Sequence, residues 1–152
     1  MELKELNDLN LINEIILNPF VQDDIADDSS LGVSLAEIPS HMRFIGVYDN
    51  DILCGLYMLI PQNCVTVEVH TCLLPLLRGK KAIQAGRLII QYMFDRYKKI
   101  ISWIPIDNKK AELYSKLLGF KIEGISRESY LKNGKLQDMK LVGITIGEYK
   151  CQ

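Results

Sequence analysis

The chain has 152 residues, of which 48% are hydrophobic and 24% are charged, and its formal net charge is −1. This length and composition predict one globular domain, residues 1–152, built around a single sizeable core. The near-neutral charge argues against electrostatic binding of nucleic acid or of a membrane surface, and no segment reaches the roughly 18 apolar residues of a membrane span.

The cysteines and the N-terminal segment indicate the compartment. The N-terminal segment lacks the basic start and apolar middle of a secretory signal. The cysteine spacing fits no C-x-x-C metal or redox motif. We therefore expect reduced thiols, no bound metal and a cytoplasmic protein, with an extracellular disulfide pair as the alternative. The cysteines are Cys54, Cys64, Cys72 and Cys151.

The N-terminal segments predict a strand followed by two helices. Residues 1–6 are compatible with a short strand, and apolar residues recur at helical spacing from Leu9 to Leu17. Asn18 and Pro19 end this helix, and Pro19 is suited to begin a second one. Residues 29–41 follow as a loop or a short helix. The segment before them carries four aspartates, either the solvated flank of a helix or an acidic rim that attracts a cationic substrate: Asp23, Asp24, Asp27 and Asp28.

The middle of the chain is rich in predicted strands. Residues 43–61 indicate two strands joined around Asn50 and Asp51, and residues 64–74 indicate a third. In the third, Val65, Val67 and Val69 alternate with polar residues, which gives one apolar and one polar face.

The C-terminal half predicts a helix over residues 82–98, a short buried strand over 99–106 and a helix that Asn108 caps and Gly119 ends. Residues 120–149 indicate two strands around a turn at Asn133 and Gly134. The order of elements predicts an α+β fold around a mixed sheet, with one parallel crossover within residues 64–105.

Three cations stand at the predicted entrance to the helix that follows the third central strand. Arg78, Lys80 and Lys81 surround Gly79, at the end of a helix where the macrodipole disfavours cations. A glycine-containing turn at such a place exposes N–H groups that bind anions. The segment is therefore either a diphosphate site or a basic, solvated helix start. It matches neither the Walker nor the dinucleotide-binding glycine motif.

Glu68, His70 and Tyr114 are the side chains suited to proton transfer. Glu68 and His70 are two residues apart on a predicted strand, so they point the same way. They are either a functional pair or part of a polar sheet face with a satisfied histidine. Tyr114 shares a helix face with Ala111 and Leu118, which favours a core position. No G-x-S-x-G motif supports a nucleophilic triad, and no further ligand pair accompanies His70 and Cys72.

Together these segments resemble the GNAT acyltransferase superfamily over nearly the whole chain. Residues 73–82 resemble its fourth strand and pyrophosphate loop, and residues 108–120 its fourth helix. Residues 123–138 are similar to the final hairpin of the ribosomal-protein N-terminal acetyltransferase branch. The Glu-x-His strand before an Arg-Gly loop also resembles small GNAT-like proteins of tailed phages.

The resemblance implies a mostly antiparallel sheet of about six to seven strands flanked by helices, with a splayed cofactor cleft between the fourth and fifth strands. It implies an N-acetyltransferase that moves an acetyl group from acetyl-CoA to an unidentified amine of a protein or small molecule. The protein would act in the cytoplasm, or in the cytoplasm of the host cell if a phage encodes it. Such relatives often form homodimers.

The resemblance also implies residue roles. Tyr114 would protonate the departing CoA thiolate, and His70 or Glu68 would be the base, directly or through water. A strand-4 N–H, such as that of Leu73, would stabilise the oxyanion. The residues implied in CoA binding are Leu73, Leu74, Arg78, Gly79, Lys80, Lys81, Ala82 and Asn108.

Two positions depart from the family loop, which usually reads Q/R-x-x-G-x-G/A. Leu76 stands at its first position, and Lys81 stands where the second glycine is usual. The alternative hypothesis is therefore a GNAT-fold binding or virion-associated module with weak or no catalysis. Action on nucleic acid receives little support from the net charge.

Overall fold

A seven-stranded sheet forms the centre of the chain in the computed structural model, which describes residues 1–151. The strands are β1 (Glu2–Glu5), β2 (Arg43–Asp49), β3 (Ile52–Pro61), β4 (Thr66–Leu73), β5 (Lys99–Pro105), β6 (Lys121–Lys132) and β7 (Lys135–Thr145). The helices are α1 (Leu9–Ile16), α2 (Pro19–Ile25), α3 (Lys80–Phe94), α4 (Lys109–Leu117) and α5 (Ile146–Lys150). The strands lie in the order β1-β2-β3-β4-β5-β7-β6.

The pairing confirms the predicted fold class. Five of the six neighbouring pairs are antiparallel, and the pair β4–β5 is parallel. The helix α3 connects these two parallel strands, as the sequence predicted. Within residues 1–151, no helix combines the length and the apolar character that a membrane span requires.

Local signals account for the element starts that were predicted correctly. The carboxylate of Asp8 accepts hydrogen bonds from the first turn of α1, and Asn18 caps α2 with Pro19 at its first position. The turn between β2 and β3 has positive φ at both Asn50 (50°) and Asp51 (63°). That conformation suits a two-residue hairpin turn. The turn pairs Asp49 with Ile52, and an irregularity between Val47 and Tyr48 then shifts the register of β2 against β3.

Several predicted boundaries were wrong. The helix predicted over residues 82–98 is α3, which starts at Lys80 and ends at Phe94. The N–H of Lys98 instead donates to the carbonyl of Val65, which begins the approach of β5 to β4. The last strand was predicted to reach residue 149, but β7 ends at Thr145. There Thr145 and Glu148 form a reciprocal capping box that begins α5.

Two apolar clusters cover the two faces of the sheet. The first packs β3, β4 and β5 against α3 and includes Val67 and Val69. The second packs the sheet against α1 and α2 and includes Leu56 and Cys72. Since side chains alternate along a strand, Glu68 and His70 face α1 and α2, on the same side of β4 as Cys72. All four cysteines are free thiols, and Cys54 and Cys72 are buried.

Candidate functional site

The strands β4 and β5 separate shortly after they meet. Their parallel pairing covers Thr66–Glu68 and Lys99–Ile101. Beyond these residues β4 continues to Leu73 and β5 to Pro105, each still paired with its other neighbour. The sheet therefore has the predicted splay between its fourth and fifth strands.

The backbone of β4 presents polar groups to this cleft. The N–H of Leu74 donates to the carbonyl of Cys54 at 2.9 Å, so it faces β3. The hydroxyl of Ser102 on β5 donates to the carbonyl of Val69 at 2.8 Å, so that carbonyl faces the cleft. Because backbone groups alternate in direction along an antiparallel strand, the N–H of Leu73 also faces the cleft. Of the two leucines implied in CoA binding, Leu73 therefore offers its amide and Leu74 does not.

Glu68 and His70 form a bonded pair on the face of β4 toward α1 and α2. The Nε2 atom of His70 lies 2.7 Å from Oε1 of Glu68. The side-chain amide of Gln62 donates to the other carboxylate oxygen at 2.9 Å. The histidine side chain is 31% exposed and the glutamate side chain 14%. The pair thus combines a partly accessible imidazole with a carboxylate whose two oxygens are engaged by His70 and Gln62.

Trp103 faces the same side of the sheet across the cleft. The register pairs Glu68 with Ile101, so the residue two positions further on β5, Trp103, occupies the place that corresponds to His70. It is half-buried, and among residues 1–151 it belongs to neither core cluster. Sequence analysis missed it because its segment was interpreted only as a buried strand; the register of β5 supplies the missing information.

Tyr114 lies on the opposite face. Its hydroxyl oxygen is 2.9 Å from that of Tyr57 on β3 and donates to the carbonyl of Ala82 at 3.2 Å. Burial raises the pKa of Tyr114 to about 12, while the hydrogen bond with Tyr57 opposes that rise. Burial also raises the pKa of Tyr57 well above its ordinary value. The hydroxyl of Tyr114 therefore keeps its proton at neutral pH. Tyr57 was not identified from the sequence.

Gly86 allows this arrangement. A Cβ atom at this position would lie 2.5 Å from Cδ1 of Leu118 and 2.6 Å from the hydroxyl oxygen of Tyr114. Real Cβ atoms essentially never lie so close, so a larger residue here would displace Leu118 or Tyr114, whereas glycine leaves room for both. The glycine that weakens the helical propensity of α3 therefore brings Tyr114 to the first turn of that helix.

The start of α3 carries the predicted cations around a glycine cap. Gly79 has φ 60°, and no side chain caps the helix there. The first-turn amides consequently lack acceptors within the helix. The guanidinium of Arg78 lies 5.8 Å from the centre of the Phe20 ring, and the ammonium of Lys81 pairs with Asp49 at 2.7 Å. That ion pair lowers the pKa of Asp49. The side chain of Lys80 is exposed.

Asn108 caps α4, as predicted. Its carbonyl oxygen accepts from the N–H of Ala111 at 3.0 Å, and its amide donates to the carbonyl of Asp24 at 3.4 Å. This cap fixes the first turn of the helix that carries Tyr114.

The acidic segment performs a structural role that sequence analysis did not predict. The carboxylate of Asp28 accepts hydrogen bonds from the turn amides of Asn133 and Gly134, at 2.7 and 2.8 Å. Asp27 accepts hydrogen bonds from two serines of its own loop. Two ion pairs engage the remaining aspartates: Asp24 with Lys110 at 3.6 Å, and Asp23 with Lys132 at 4.0 Å. The segment thus attaches the loop after α2 to the final hairpin.

Comparison with known proteins places this geometry in a family and a fold. Residues 23–151 match the family model described as "Protein of unknown function (DUF2824)". No curated protein matches the chain.

Solved structures with the same architecture include a spermidine N-acetyltransferase from Vibrio cholerae in complex with CoA and spermine. It is 23% identical, the match covers 98% of this chain and 97% of that one, and the TM-score is 0.80. A GCN5-related N-acetyltransferase from Brucella melitensis is 18% identical over 97% of this chain and 76% of that one, with a TM-score of 0.77. The likeness shows a GNAT fold, whereas the ribosomal-protein and phage branches stay predictions.

Proposed function

The chain belongs to the DUF2824 family and has a GNAT fold, and from this premise we propose that it is an acetyl-CoA-dependent N-acetyltransferase. The observation that carries the proposal is the placement of proton-transfer groups on opposite faces of one splayed cleft. The pair of His70 and Glu68 lies on the face toward α1 and α2, and the protonated Tyr114 lies on the face toward α3. Such a separation suits a reaction that removes a proton on one side and delivers one on the other.

The start of α3 is the proposed site for the diphosphate of acetyl-CoA. Its uncapped amides and positive helix end favour an anion, and Arg78 and Lys80 add positive charge there. The pantetheine arm would follow the cleft past Leu73. In support, a neighbour of the same fold is described in complex with CoA.

The acetyl transfer proceeds through attack of an amine on the thioester. The amine arrives from the α1–α2 face and gives a proton to the pair of His70 and Glu68. A bond forms between the nitrogen and the carbonyl carbon, and the carbon–sulfur bond breaks. The N–H of Leu73 donates to the oxyanion, and Tyr114 protonates the sulfur. The products are the N-acetylated amine and CoA; His70 then loses the added proton to solvent, and Tyr114 regains a proton from solvent.

The acceptor in this proposal is an amine of a protein or a small molecule. One structural neighbour is described in complex with spermine. The engagement of the aspartates by lysines and backbone amides weakens the main sequence-based reason to assign a polyamine to this chain. The proposal therefore does not name one amine.

A titration with acetyl-CoA, CoA and ADP tests the proposal. A ligand that binds the native state raises the melting temperature once its concentration exceeds the dissociation constant. The chain has a single tryptophan, Trp103, so its fluorescence reports ligand binding at the cleft. We expect acetyl-CoA to raise the melting temperature of the protein. We also expect the enzyme to convert acetyl-CoA to CoA when a suitable amine from a panel of candidates is added. Lys80→Ala should weaken binding, whereas the matched control Lys135→Ala, on the exposed start of β7, should not.

No stabilisation at millimolar acetyl-CoA would overturn the proposal and favour the binding-module alternative. Two observations on the loop motivate that alternative. Leu76 is 65% exposed where the family loop usually has a polar residue, and the ammonium of Lys81 is engaged by Asp49.

A further inference from the structure

We propose that His70 and Glu68 act as one unit in which Nδ1 of His70 accepts the proton of the amine and Glu68 is a positioning residue. This inference rests on the proposed acetyl transfer and identifies which of the two side chains is the base. It also predicts the tautomer of the histidine in the resting protein.

The position of the two residues along β4 favours His70 as the group that reaches the substrate. The pairing of β4 with β5 ends at Glu68, so Glu68 lies beside the last closed part of the sheet. His70 is the next residue on the same face, and it already lies beside the open cleft. Its counterpart across the cleft is Trp103.

The hydrogen bonds of Glu68 favour a supporting role. One carboxylate oxygen is 2.7 Å from Nε2 of His70, and the other accepts from Gln62 at 2.9 Å. The side chain is only 14% exposed, less than half the exposed fraction of His70. A group held in this way is suited to orient a neighbour, whereas a base must approach the amine or its bound water.

The chemistry of the contact determines the tautomer. An ionised carboxylate only accepts hydrogen bonds, so Nε2 of His70 carries the hydrogen in this contact. In the neutral ring the lone pair is then on Nδ1. When Nδ1 takes a proton, the imidazolium is stabilised by the carboxylate already bonded to Nε2.

Several charged side chains on the neighbouring elements are paired with partners of their own. On α2, Asp23 and Asp24 pair with lysines. On β5, Lys99 pairs with Glu123 at 2.8 Å. The register partners of Glu68 and His70 on β3 are the apolar residues Ile60 and Met58. Among the described residues, the carboxylate within hydrogen-bond distance of the imidazole is that of Glu68.

NMR of ¹⁵N-labelled protein tests the pair without reference to activity. The chain has two histidines, and the exposed His41 is removed by His41→Gln to assign the ring signals. We expect neutral His70 to carry its proton on Nε2, with a ring N–H signal that is protected from exchange with water. Glu68→Ala should abolish that protection. A proton on Nδ1, or the same protection in the variant, would overturn the inference.

A double-mutant cycle then tests the roles. His70→Ala should lower kcat/KM about 10²-fold or more, and Glu68→Ala by a smaller factor. Because Glu68 acts through His70, Glu68→Ala should have no further effect in the His70→Ala background. A further loss in the double variant would instead make Glu68 the base.

The two proposals fail in different ways. An active wild-type enzyme with independent losses in the cycle refutes only the division of roles between His70 and Glu68. A wild-type protein that binds no acetyl-CoA and transfers no acetyl group refutes the proposed function, and the catalytic role of Nδ1 with it. The NMR measurement determines the tautomer of His70 whether or not the protein is active.

Discussion

Gly86 lies where α3 and α4 make their closest approach, and Gly86→Ala should lower both stability and turnover. The added methyl carbon would be 2.5 and 2.9 Å from the two Cδ atoms of Leu118 and 2.6 Å from the hydroxyl oxygen of Tyr114. Leu118 is 5% exposed and belongs to the core cluster on the α3 face. It therefore has little room to move away, so the added methyl group must strain or loosen the contact between the two helices.

Two opposing effects set the magnitude. Alanine gains about 1 kcal/mol over glycine in a helix interior. Overpacking of a buried contact costs about 1–3 kcal/mol, and a weakened hydrogen bond at Tyr114 adds about 1 kcal/mol. The free energy of unfolding should thus fall by about 1–3 kcal/mol. In a chain of this size, each kcal/mol lowers the melting temperature by about 2–4 °C.

Urea denaturation of wild type, Gly86→Ala and Gly147→Ala measures this effect. Gly147 is the matched control, since it also lies in a helix and the nearest atom to its added Cβ is 3.9 Å away. The control should be as stable as wild type or slightly more stable. If Gly86→Ala were as stable as this control, the close packing of α3 against α4 would be refuted.

Four further changes test the remaining parts of the structure. Tyr114→Phe should lower kcat about 10²-fold with little change in acetyl-CoA affinity, and unchanged turnover in steady-state kinetics would remove Tyr114 from the mechanism. Asp49→Asn frees the ammonium of Lys81; because exposed ion pairs are weak, calorimetry at low salt should show a gain in acetyl-CoA affinity of a few-fold at most, and equal affinities would contradict this. Asp28→Ala removes the acceptor of two turn amides and should lower the free energy of unfolding by about 1–2 kcal/mol. An unchanged midpoint of urea denaturation would contradict this. The hydrogen bond with Lys121 is the main cause that lowers the pKa of Glu148 to about 2. A lowered pKa stabilises the folded state at pH values above the ordinary pKa of a glutamate, and this stabilisation is lost as the pH falls toward 2. Glu148→Gln should therefore be less stable than wild type at pH 7 but not near pH 2, and a stability difference independent of pH in urea titrations would refute this cause.

Most element types and several starts followed from signals within a few residues. Pro19 at a helix start, Asn50 and Asp51 in a hairpin turn, and the cap at Asn108 each depend on backbone conformations that those residue types favour locally. The capping box of Thr145 and Glu148 was equally local, and its S/T-x-x-E pattern was present in the sequence. It was missed because the alternation of the preceding strand was extended past its end.

The sequence by itself determined the fold class, the order of the predicted elements and the polar face of β4, because alternation and caps act over short distances along the chain. Only the tertiary structure decided which groups meet. Tyr57 and Tyr114 are 57 residues apart, and Asp49 and Lys81 are 32 apart. Trp103 stands opposite His70 because the pairing of β4 with β5 stops at Glu68. Beyond that point β4 follows β3 and β5 follows β7, and no short segment of the sequence specifies such long-range partners.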